Sequence, residues 1–159
     1  MSNTFRVSVV SFALLSILSC AQPPGEEPLA GAWKLTSITV TESGNATPIE
    51  NPGAGVLLFH GSWYSQTWME ADRMYSDPPT DLEKLIAYDA FDASTGTYTY
   101  ANQQLTLTPQ VARDPRSVGR STSTRAVLEG DKLTRTREQP SREDPSQMMQ
   151  WTSVYERVK

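Results

Sequence analysis

The sequence predicts an all-β protein, an eight-stranded antiparallel up-and-down barrel with one short helix. Three observations carry that expectation. Short runs that alternate apolar and polar residues are separated by turn residues. Eight such runs follow one another within about 130 residues, the size of one domain with one core. The first and last runs hold no proline, so each tolerates a neighbour on both sides and the sheet can close, which removes its edges.

The runs come in order. Trp33 to Thr41 is rich in Trp, Leu, Ile, Val and Thr and reads as the first strand, and Asn45 to Gly55 reads as a Gly/Pro/Asn loop. Val56 to His60 turns through His60-Gly61-Ser62 into Trp63 to Met69. Thr95 to Tyr100 and Gln104 to Pro109 form a hairpin across Asn102. Thr122 to Glu129 and Lys132 to Thr136 form another, with Gly130-Asp131 at a two-residue turn that wants positive φ. Met149 to Val158 is the last strand, and Gln110 to Ser121 and Glu138 to Gln147 read as exposed loops. The helix is expected over residues 80–90. Thr80-Asp81-Leu82-Glu83 fits a capping box, and Leu82, Leu85 and Ile86 share one face that should lie against something apolar. An eight-stranded barrel is just wide enough to be filled by side chains or to hold one small ligand; a two-sheet sandwich is the rival architecture.

The N-terminus reads differently. Arg6 is the only charge before residue 26, and Val7 to Leu18 form an apolar block too short to span a membrane but suited to a signal peptide. Ile17-Leu18-Ser19-Cys20 resembles the lipobox of bacterial lipoproteins, which implies lipidation of Cys20, the only cysteine. The resemblance implies a signal peptide over 1–19, and Ala21 in place of Asp implies export to the outer membrane. Acyl chains would anchor the domain to the membrane, two or three of them firmly. Gln22 to Pro28 is a proline-rich, semi-rigid tether, so the segments are 1–19, 20–29 and a barrel domain over 30–159.

Cleavage would remove Arg6 and take the formal net charge from −4 to −5. A mildly acidic chain without a basic stripe argues against nucleic-acid binding. With one cysteine there is no intrachain disulfide.

Leu29-Ala-Gly31-Ala-Trp33-Lys-Leu35 resembles the Gly-x-Trp signature that opens lipocalins, and more closely the opening strand of the bacterial lipocalin-like domain family. Gly55 to Phe59, Gly61 to Ser65, Gly96-Thr-Tyr98, Leu128 to Thr134 and Trp151 to Arg157 resemble its later strands. The resemblance implies a ligand-holding barrel in which Gly31 and Trp33 mark the closed end and Arg157 covers the indole.

Chemistry-bearing motifs are sparse. The chain has one histidine, His60, and one cysteine, which leaves no His/Cys zinc set, no Cys-His pair and no multi-histidine dyad. No phosphate loop, nucleophile elbow or dinucleotide fingerprint is present, so no catalytic residue, metal or cofactor is assigned. His60 reads as a turn residue, with an axial haem ligand as its sharper alternative. Glu70, Asp72, Asp77, Asp89 and Asp92 read as solvated charges flanking the helix, with an acid/base pair as the alternative. Arg113, Arg116 and Arg120 read as a soluble loop, or alternatively as a cationic rim.

The aromatics point further. Tyr64, Gln66 and Trp68 share one strand face, and Tyr98 and Tyr100 share another. Facing inward, they would form a pocket for a small hydrophobic or amphipathic ligand, and Arg125, of opposite parity to Thr122, Thr124 and Ala126, reads as either an outward charge or an inward carboxylate anchor. The competing expectations are a packed aromatic core in a barrel that serves as a structural or protein-interaction module, and a small-barrel isomerase or hydrolase.

Overall fold

The computed structural model describes residues 27–141 and 144–159. The signal peptide, Cys20 and the tether through residue 26 lie outside the described residues. The elements are β1 (Gly31–Glu42), β2 (Asn45–Pro48), β3 (Ala54–His60), β4 (Trp63–Met69), α1 (Asp81–Asp89), β5 (Phe91–Ala101), β6 (Gln104–Ala112), β7 (Thr122–Glu129), β8 (Lys132–Pro140) and β9 (Met148–Arg157), with a 3₁₀ turn at Pro115–Ser117. Each strand pairs antiparallel with its neighbour, and β1 also pairs with β9. The sheet is therefore a closed barrel of eight strands, as the alternating pattern predicts.

Three details differ from the sequence reading. The segment after β1 is not all loop: β2 folds back on the upper half of β1, opposite Thr39 to Glu42. The lower half of the same edge, Gly31 to Lys34, pairs with β3, so β1 changes partner halfway up. β5 begins at Phe91, and the expected loops at Gln110 and Glu138 begin as strand, because β6 runs to Ala112 and β8 to Pro140. Pro140 is tolerated because it ends its strand. Thirdly, α1 forms with its capping box, in which Thr80 Oγ1 accepts from the Glu83 N–H at 3.3 Å and the Thr80 N–H donates to Glu83 Oε2 at 2.7 Å. Its apolar face does not pack, however. Leu82, Leu85 and Ile86 are 66%, 58% and 58% exposed, and Ala87 is the buried residue of the helix.

The two ends of the barrel differ. The β3–β4, β5–β6 and β7–β8 turns share one end with the start of β1 and the end of β9. Asn102 and Gln103 both adopt positive φ, 52° and 59°, in a two-residue turn whose twist matches its strands. The core fills this end: Leu29, Trp33, Leu57, Phe59, Tyr64, Leu105, Leu107, Ala126 and Leu133, with Tyr98, Tyr100, Leu128 and Tyr155 packed against it. Each fully buried large side chain contributes about 1.5–3 kcal/mol by leaving water. Leu29 is fully buried, so the chain enters the domain through the floor. The opposite end carries the long connections, including α1, and there the core stops.

Candidate functional site

Above the core lies a cavity of about 510 Å³ that opens at the end bearing the long connections. Strand alternation determines what lines it. On β4, Tyr64, Gln66 and Trp68 point inward at successively higher levels, with Tyr64 in the core and the other two on the cavity wall. On β8 the inward set is Leu133, Arg135, Arg137 and Gln139, opposite Tyr155, Ser153, Trp151 and Met149 of β9. Leu133 belongs to the core, and the remaining residues of these two columns line the cavity. Leu35, Ile38 and Leu57 add an apolar side.

Arg135 is the unusual member of this wall. It is partly buried, its Nη1 donates to Gln66 Oε1 over a long 3.4 Å, and its Nε is buried without a hydrogen-bond partner among the described residues. Burial pulls the guanidinium below its ordinary pKa, and the neighbouring charge of Arg137 adds to that effect. One level higher, Arg137 lies over the Trp151 ring, with Cζ 5.6 Å from its centroid. Beneath Arg135, the Tyr64 hydroxyl shares a 3.0 Å hydrogen bond with Ser94 Oγ, and burial raises its pKa. Trp68 is fixed by its indole N–H donating to the Pro52 carbonyl at 2.8 Å. The mouth, by contrast, is acidic, with Glu42, Glu70, Asp89 and Asp92 in its lining.

Several expected site residues lie elsewhere. Arg125 is not inside the barrel. It lies between inward Thr124 and Ala126, is exposed, and reaches Gln103 Oε1 at 3.3 Å. Tyr98 and Tyr100 do point inward, but into the core rather than the cavity. Tyr98 meets Phe59 edge-on at 4.8 Å, and the Tyr100 hydroxyl donates to the Ala126 carbonyl at 3.1 Å. Trp68 is the one ligand candidate on the cavity wall itself, and Tyr64 closes the floor below it. Of the carboxylates ahead of and behind α1, Glu70, Asp89 and Asp92 reach the mouth, whereas Asp72 and Asp77 do not line it. The loop arginines do not make a cationic rim. Arg113 stacks on Tyr88 with Cζ at 4.8 Å and faces Asp89 and Asp92, Arg116 pairs with Asp114 at 2.9 Å, and Arg120 is exposed. His60 ends β3 at the closed end, exposed and remote from the cavity.

At the floor, Arg157 and Trp33 are register partners, and the guanidinium lies over the indole with Cζ 4.1 Å from the ring centroid. Gly31, with φ of 113°, sits beside it; a Cβ there would lie 3.4 Å from Arg157 Nη1.

Arg135 and Arg137 escape a reading of composition because arginines on a strand are ordinarily placed outside. The signal that finds them is parity: Leu133-Thr134-Arg135-Thr136-Arg137 alternates strictly, so once Leu133 is in the core both arginines must face inward. No protein-family model, no curated protein and no solved structure matches the chain.

Proposed function

We propose that this chain is a lipid-anchored, lipocalin-like protein of the bacterial envelope that binds a small hydrophobic or amphipathic ligand in the open half of its barrel. The observation that supports this reading is the half-filled interior. A cavity of about 510 Å³, walled by Trp68, Trp151, Met149 and Ile38, stands above a sealed aromatic floor. That volume and its mix of apolar and few polar groups suit a small-molecule site. The anchor rests on the lipobox resemblance at Cys20.

Two experiments test the reading. Titration of the purified protein with N-phenyl-1-naphthylamine, an uncharged dye, should give saturable binding at one per chain, weakened in Trp68→Ala; absence of binding overturns it. Labelling of cells with a clickable fatty acid should mark the protein and fail in Cys20→Ser, and a Cys20→Ser protein that still labels removes the anchor.

A second reading, a protein-interaction module, is favoured by one feature, the exposed Leu82, Leu85 and Ile86 face of α1. Binding by the cavity and contact by the helix are compatible, since Leu82, Leu85 and Ile86 do not line the cavity.

A further inference from the structure

Arg135 has a position but no counter-ion. On the cavity wall Arg135 stands beside the neutral Gln66, Ser153 and Tyr155 and one level below the like-charged Arg137, and no described carboxylate forms an ion pair with Arg135 or Arg137. A cation held inside a barrel without an opposite charge is costly unless something neutralises it. The four acids of the cavity, Glu42, Glu70, Asp89 and Asp92, stand at its mouth: at the upper end of β1, just past β4, at the end of α1 and at the start of β5. The cavity lining thus carries Arg135 and Arg137 on β8 and four acids on strand ends and connections at the open end, two of which, Asp89 and Asp92, face Arg113 at 3.9 Å.

We infer that the cavity is built for a monocarboxylate with an apolar body, its carboxylate seated at Arg135 and its body running up past Trp68, Trp151 and Met149 toward the mouth. The inference rests on the ligand-binding reading above and assigns its chemical class. A guanidinium is the side chain best matched to a carboxylate, and charge-assisted hydrogen bonds of this kind are roughly twice as strong as neutral ones. The acidic mouth sets the other limit. Glu42 and Glu70, the two mouth acids that do not face Arg113, repel a multiply charged phosphate more strongly than a single negative charge on an apolar chain. Arg137, stacked on Trp151, adds long-range attraction without leaving its place.

The test compares decanoate with decan-1-ol, which differ at the headgroup alone, by fluorescence titration of the purified protein, whose cavity wall holds Trp68 and Trp151. Decanoate should bind at one per chain and about tenfold or more tightly than the alcohol. Arg135→Met should bring the two affinities to within about twofold, while Arg125→Met, on the outer face, leaves the preference intact. The melting temperature of ligand-free Arg135→Met should stand at or above that of the parent, since removal of an unneutralised cation relieves its desolvation cost; a purely structural arginine would behave in the opposite way. Equal binding of both probes by the parent protein, or a preference that survives Arg135→Met, overturns the carboxylate assignment and leaves the ligand-binding reading standing. Failure of both probes to bind overturns both.

Discussion

The guanidinium of Arg157, the last residue of β9, lies over the indole of Trp33, near the start of β1, with 4.1 Å between Cζ and the ring centroid. The same side chain donates to the carbonyls of Ala30 and, at 3.1 Å, Pro28, and its Nε faces Asp131 at 3.3 Å. Trp33 in turn donates to the Leu29 carbonyl at 2.8 Å. One contact thus joins the entering chain, both closing strands and the β7–β8 turn. Trp33→Ala should cost about 3–5 kcal/mol, the range for a truncated core aromatic. Arg157→Ala should cost about 1–2 kcal/mol, the sum of a partly desolvated cation–π contact and its carbonyl bonds. In urea melts, the double variant should be milder than the sum of the singles; additivity within about 0.5 kcal/mol would mean that the two side chains are uncoupled.

Gly96 makes the second prediction. It sits at the register shift between β5 and β6, where a Cβ would stand 2.1 Å from the Thr108 carbonyl oxygen and 2.8 Å from Pro109 Cα. Those atoms are backbone and cannot give way cheaply. At Gly55 the nearest atoms stand farther off, Leu35 Cβ at 2.9 Å, which moves only with its backbone, and Leu35 Cδ2 at 3.0 Å, which a change of rotamer can move. Gly96→Ala should therefore destabilise by about 1–3 kcal/mol or more, and by more than Gly55→Ala, in paired denaturant titrations. A reversed order would show that the bulge, not β1, is the soft part of the barrel.

The closed barrel was legible in the sequence because period-2 alternation and turn residues encode strands locally. The proline-free ends, Trp33 to Val40 and Trp151 to Val158, permitted closure. The helix was equally legible, since Thr80 and Glu83 encode their own cap. The interior was less so. Alternation told that Tyr64, Gln66 and Trp68 share a face, yet whether an inward tyrosine meets core or cavity depends on its height in the barrel, which is a tertiary quantity. Tyr98 and Tyr100 fall low, beside Phe59 and Ala126, and are packed. Arg125 lay outside and Arg135 inside for one reason. Thr124 and Ala126 occupy the inward positions of β7, whereas Leu133 fixes the odd-numbered residues of β8 on the inner face.

The α1 face gives the third prediction. Its apolar stripe is regular enough to imply packing, but Leu82, Leu85 and Ile86 contribute little burial where they stand. Replacing all three by Gln, a good helix former, should change the urea-derived stability by no more than about 0.5 kcal/mol per site. It should also lower any concentration-dependent association in size-exclusion chromatography. A loss well above that figure would mean that the face is covered in the folded protein.

The last prediction concerns pH. Glu83 accepts hydrogen bonds from the Ser76 hydroxyl at 2.7 Å, the Thr80 N–H at 2.7 Å, the Ser76 N–H at 2.9 Å and the Thr80 hydroxyl at 2.8 Å. These donors, the Ser76 hydroxyl first, hold its carboxyl down from the ordinary 4.5 to about 2. The folded state thus binds the proton less readily than the unfolded chain does, so the ionised cap stabilises the fold at any pH above 4.5. That contribution is lost progressively as the pH falls from there through about 2. Asp114, held at about 2 by Arg116, titrates over the same window, so the acid limb of the parent protein alone is not diagnostic. The difference between the parent and Glu83→Gln isolates the cap. It should be constant from neutral pH down to about 5, should shrink as the pH falls and should close below about 2, where the parent carboxyl is protonated in the folded state as well and the two side chains are equivalent in charge. A difference that stays flat to pH 2 would mean that Glu83 holds Ser76 and Thr80 by shape alone.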